Sequence, residues 1–127
     1  MRRRLRALLA LSAFAPLTLL ATGAGATEGA DDRDVETLDN VFSPRIVRIA
    51  VGGSLRWTND GRSPHNVIAD DGSFRSDVLE PGDAFEEAFV EAGAFPFHCS
   101  LHGAPGAGMT GLVLVGDVPI PGAASGV

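Results

Sequence analysis

The stretch FPFHCSLHGAPGAGMTGLVLV, Phe95 to Val115, decides how this chain folds. Its first five residues alternate: Phe95, Phe97 and Cys99 share one side of an extended chain while His98 lies on the other, the period of two of a strand with one face in a core. TGLVLV, from Thr110, is a second β-prone run. The intervening GAPGAG has no bulky side chain and abundant glycine, so the chain can curl back between the two.

Similar short runs recur outward from this stretch. VETL near Val35, IVRIAV from Ile46, SLRWTN from Ser54, HNVIA from His65 and AFEEAFV from Ala84 join FPFHC and TGLVLV to make seven, with Gly, Pro, Asn and Asp between them. That pattern predicts an all-β sandwich. Ile46, Arg48 and Ala50 fall on one side of their run and Val47, Ile49 and Val51 on the other. Leu55 and Trp57 share the face opposite Arg56 and Thr58, which makes Trp57 a core residue. The interval DDGSFRSDVLEPGD is long for a hairpin and predicts a detour or irregular strand around Phe74 to Leu79, before a turn through Pro81-Gly82. With 127 residues, few aromatics, frequent Gly and Pro, and no internal repeat, the chain has room for one small domain.

The N-terminus reads differently. MRRRLR is a basic segment, followed by an apolar run that ends in small residues, the pattern of a secretory signal peptide. Ala24-Gly25-Ala26 predicts cleavage before Thr27, so residues 1–26 are a leader. The apolar run is short and broken by Pro16, which makes it a poor permanent membrane anchor. Residues 27–33 are small and acidic and predict a flexible lead-in, 34–118 the domain, and 119–127 a flexible tail. Four of the ten basic residues leave with the leader while all sixteen acidic ones stay. So acidic a domain argues against nucleic acid or anionic lipid as partner and favours solubility; the charge either steers a basic protein partner or is a solvated surface without specific purpose.

An exported protein normally pairs its cysteines, yet Cys99 is the chain's single one. It is therefore buried, intermolecular, reactive or metal-bound. Its neighbours favour a metal. His102 lies three positions on, within reach of the same ion, and the glycine-rich curl can present Met109 to that point. His65, held extended by Pro64, supplies a second imidazole. A thiolate and two imidazoles in a trigonal plane, with a distant thioether, suit both Cu(I) and Cu(II) with little rearrangement on electron gain or loss. Met109 could alternatively be core packing, the usual task of an isolated methionine. A zinc module fits the thioether less well.

VFSPRIVRIAVGGSLRWTNDGRSPHNV together with FPFHCSLHGAPGAGMTGLVLV resembles the plastocyanin and amicyanin branch of the cupredoxins, over roughly Val35 to Val115. The resemblance implies a Greek-key β-sandwich of seven to eight strands and one type 1 (blue) copper per chain, held by His65, Cys99, His102 and Met109. It also implies that Asn66 ties the two ligand loops together with Ser100 and that its backbone amide hydrogen-bonds the thiolate. The interval between His102 and Met109 is longer than in plastocyanins.

These readings predict an electron carrier rather than an enzyme. A second, catalytic copper would need several further histidines, and the chain has three in all. His98 reads as an exposed strand residue. His102 would offer its ring edge to transient redox partner proteins, within an apolar patch of Ala104, Pro105, Gly106 and Ala107. The expected state is a monomer in the periplasm or at the extracytoplasmic face of the membrane. The alternative is a protein that stores or delivers copper.

Overall fold

The computed structural model describes residues 31–123. The leader expected at 1–26, the first part of the acidic lead-in (27–30) and the last residues of the tail (124–127) lie outside them. The described residues form eight strands and no helix: β1 (Arg33–Leu38), β2 (Val41–Ser43), β3 (Ile46–Ile49), β4 (Ser54–Asn59), β5 (Ile68–Ala69), β6 (Ala84–Ala88), β7 (Gly93–Ala104) and β8 (Ala107–Val115). Two four-stranded sheets, β2-β1-β4-β6 and β3-β8-β7-β5, face each other as a sandwich. Both are mixed, because β1 runs parallel to β4 and β3 parallel to β8 while the remaining pairs are antiparallel.

Alternation places the core. Val35 and Thr37 of β1, Val47 and Ile49 of β3, and Leu55, Trp57 and Asn59 of β4 are buried. Between these two-residue steps the side chains face outward. Trp57 is the hub. Its ring centroid lies 5.4 Å from Phe97, 5.6 Å from Phe85 and 5.7 Å from Phe74, and Phe97 in turn meets Phe42 edge-on at 4.8 Å. Edge-to-face and stacked pairs of this kind each add about 0.5–1.5 kcal/mol beyond the area they bury. Phe97 thus welds the strand that carries Cys99 to the opposite sheet.

Several expectations need correction. Val41–Ser43 forms a strand that its three residues were too short to announce. HNVIA is not a continuous strand: His65 makes a single bridge to Leu79 and only Ile68–Ala69 joins β7, because the intervening backbone turns aside to meet the irregular segment 74–79. Val51, which alternation puts on the same side as Val47 and Ile49, is half exposed, since the chain leaves β3 after Ile49 and turns at Gly52. β7 continues beyond Cys99 to Ala104 and pairs with β8 on both sides of an irregularity between His98 and Gly103.

Both ends of the domain are tied in. Arg33, placed in the lead-in by the sequence, opens β1 opposite Leu55. The Asp31 carboxylate accepts from Arg33 at 2.8 Å and from the Ala50 amide at 3.2 Å. At the other end Arg48 donates to the carbonyls of Gly116 and Val118.

Candidate metal centre

His65, Cys99 and His102 come together at one end of the sandwich, and one donor atom from each lies within 4.8 Å of the others. Cys99 Sγ is 3.5 Å from His102 Nδ1 and 3.8 Å from His65 Nδ1, and the two rings stand 4.8 Å apart with their planes at 55°. Met109 lies close to them. His65, Cys99 and Met109 are fully buried, whereas His102 is partly exposed. Three of these four side chains are therefore inward and one has access to solvent.

Each donor is held by its own local structure. His65 follows Pro64 and is fixed by reciprocal backbone bonds with Leu79, at 3.0 and 2.6 Å. Asn59, buried at the end of β4, clamps the same loop: its Nδ2 donates to the carbonyls of Ser63 and Leu79, and its Oδ1 accepts from the Gly61 amide. Cys99 sits on β7 with its side chain in the core. Six residues between His102 and Met109 are accommodated as a tight hairpin, in which Ala104 faces Ala107 and Gly103 faces Gly108. The turn uses Gly106, and Gly108 has φ 75°, which a side chain would strain. A Cβ on Gly103 would lie 2.7 Å from the Met109 amide nitrogen. The small residues thus let Met109 pass close behind the strand that carries His102.

Asn66 and Ser100 link the two ligand segments. Asn66 Nδ2 donates to Ser100 Oγ at 2.7 Å, the Ser100 amide donates to Asn66 Oδ1 at 2.8 Å, and the Asn66 amide points at Cys99 Sγ from 3.5 Å. Burial pushes the pKa of His65 below the usual imidazole value, and the neighbouring His102 acts in the same direction, against the opposing pull of Asp39. A neutral imidazole is the form that binds metal.

Ala104, Pro105, Gly106 and Ala107 are exposed around His102. Leu101, next to His102 in the chain, is half exposed and was not singled out from sequence. His98, expected to be exposed, is buried on the outer side of β7, with Nδ1 2.6 Å from Asp70 Oδ1. Asp70, which follows β5, folds over the ring, so the outward direction holds but the exposure does not. Asn59 and Asp39 were also missed, because their roles depend on contacts distant in sequence.

The donors fit copper. Two imidazole nitrogens and one thiolate with a thioether nearby form a mixed soft and borderline set that serves both copper oxidation states, whereas structural zinc sites use four Cys or His donors.

A cupredoxin-like domain family model matches residues 8–110. The chain is 34% identical over 110 residues to the chloroplastic plastocyanin of Tetradesmus obliquus, a match that covers 78% of this chain and 71% of that protein. Among solved structures it is similar to a purple cupredoxin from Nitrosopumilus maritimus, with TM-score 0.59 and 33% identity over 66% of this chain and 99% of that one. It is also similar to an oxidised methionine-to-leucine mutant of amicyanin, with TM-score 0.58 and 26% identity over 73% and 88% of the two chains.

Proposed function

Since the chain belongs to the cupredoxin-like domain family and its cofactor is type 1 copper, we propose that it is an exported electron carrier in which His65, Cys99, His102 and Met109 hold one copper ion. The observation that carries this reading is the His65–Cys99–His102 cluster, with donors from two separate segments brought within 4.8 Å of one another. Copper bound there supplies a one-electron couple between Cu(I) and Cu(II).

The protein's own residues do the rest. The Asn66–Ser100 bonds and the Asn59 clamp keep the two ligand segments at a fixed separation, so the donor atoms have little freedom to rearrange. Burial of His65, Cys99 and Met109 keeps water away from three sides. The remaining side, the exposed edge of His102, is where we place electron entry and exit. Ala104 to Ala107 give it an apolar rim of modest size, suited to a partner that docks briefly and leaves.

A carrier also agrees with the histidine inventory, because the third histidine is engaged with Asp70 and leaves no set for a second copper. We further place the removable leader at 1–26 and the working domain at 34–118. The protein then acts as a monomer outside the cytoplasm, in the periplasm or at the outer face of the cell membrane. Among the described residues no helix is long and apolar enough to cross a membrane.

Repeated reduction and oxidation of the copper-loaded protein beside a copper-accepting chelator tests the reading. A carrier keeps its copper through many cycles. Release of copper on the first reduction would support storage or delivery instead.

A further inference from the structure

Asp39 lies in the two-residue turn between β1 and β2, where Leu38 pairs with Val41 and Asn40 takes φ 65°. Its carboxylate reaches over the loop that precedes His65. Oδ1 accepts from the Arg62 amide at 2.8 Å and the Ser63 amide at 3.0 Å, and the same oxygen stands 3.4 Å from His65 Nε2. The approach is built in. A Cβ on Gly61 would lie 2.5 Å from Asp39 Oδ1 and 3.0 Å from its amide nitrogen, and the amides of Asp60 and Gly61 donate to the Thr37 carbonyl at 3.0 and 3.1 Å.

His65 is therefore bracketed. Its Nδ1 faces Cys99 Sγ and its Nε2 faces a carboxylate, although the ring itself is fully buried. A carboxylate behind a ligating histidine fixes the tautomer and the ring orientation and raises the basicity of the donor nitrogen. We propose that Asp39 is a positioning residue of the copper centre, holding His65 as the Nε2–H tautomer with Nδ1 free for the metal and placing a negative charge behind it that favours Cu(II) over Cu(I). This rests on the reading of His65 as a ligand. Two backbone amides donate to the same Oδ1, so the oxygen that faces His65 is held in place.

The experiment pairs two variants and two readouts. Asp39→Asn keeps an oxygen for the three donors and removes the charge; Asp39→Ala removes both. In the copper-free protein, nitrogen-15 NMR of the His65 ring reports the tautomer directly. In the copper-loaded protein at neutral pH, the reduction potential reports the ratio of Cu(II) to Cu(I) affinity. Asp39→Asn is expected to keep the tautomer and lower that ratio about three- to tenfold, limited because the Asp39 side chain is partly exposed. A tenfold change is a rise of about 59 mV for a one-electron couple. Asp39→Ala is expected to mix the two tautomers. An unchanged potential in Asp39→Asn, or a wild-type tautomer in Asp39→Ala, would overturn the assignment. If wild-type protein forms no copper–thiolate site, the functional reading fails, and the copper-free NMR result still decides what Asp39 does to His65.

Discussion

Adding one methyl group at Gly111 should weaken this protein, against the ordinary trend. A glycine inside a strand is less favourable than alanine by roughly 0.5–1 kcal/mol, and Gly111 has no positive φ to excuse it. Gly111 is paired with Phe97 across β7 and β8, on the face that carries the Phe97 ring. A Cβ there would lie 2.7 and 2.8 Å from two ring carbons of Phe97. The ring has nowhere to go, because it is fully buried between Phe42 and Trp57. Overpacking typically costs about 1–3 kcal/mol, and a rigid ring trapped on both sides belongs at the upper end. Net of the strand preference, Gly111→Ala should lose about 2 kcal/mol, a fall of roughly 8–16 °C in Tm for a domain of this size. Thermal unfolding of the copper-free protein measures it without any contribution from metal. The double variant Gly111→Ala with Phe97→Leu should be destabilised by less than the sum of the two singles, since the smaller side chain leaves room for the methyl. A Gly111→Ala protein as stable as wild type, or strictly additive effects in the double variant, would refute the packing argument.

Other outcomes follow from the same contacts. Asn66→Ala removes both side-chain bonds to Ser100 and should cost about 1–3 kcal/mol; a double-mutant cycle with Ser100→Ala, read by urea unfolding, should give a coupling of at least about 0.5 kcal/mol. Burial raises the pKa of Glu87, so its proton binds more tightly in the folded state than in the unfolded one, and stability from this group is lost as pH rises through that window. Glu87→Gln should accordingly have a higher Tm than wild type at pH 7, with the gap closing on acidification toward the ordinary glutamate pKa of 4.5; a gap that is constant with pH would show that charge is not the cause.

The strands that carry the centre were the most legible part of the chain. In SLRWTN and FPFHC the alternation is clean, and Leu55, Trp57, Phe97 and Cys99 face the core as their spacing requires. The candidate ligands His65, Cys99, His102 and Met109 could be singled out for a chemical reason, as few residue types can bind a soft metal and the chain has few of them. Residues whose environment depends on distant partners were harder. Val41–Ser43 becomes a strand only because Glu36 to Leu38 lie beside it. His98 alternates outward as expected, but its burial is decided by Asp70, twenty-eight positions earlier. Asp39 reads as an ordinary turn residue, and its contact with His65 spans twenty-six positions. Local period predicts which way a side chain points; what covers it is set by topology.

The visible absorption spectrum of the protein with one equivalent of Cu(II), recorded before and after ascorbate and again for Cys99→Ser, tests the central claim most directly. Cys99 is buried between His65 Nδ1 and His102 Nδ1, so a thiolate–copper bond is the expected source of colour. The expected result is an intense visible band that bleaches on reduction, returns on reoxidation and is absent from Cys99→Ser. A folded, copper-bound protein with only a pale band, or one whose band survives in Cys99→Ser, would contradict it.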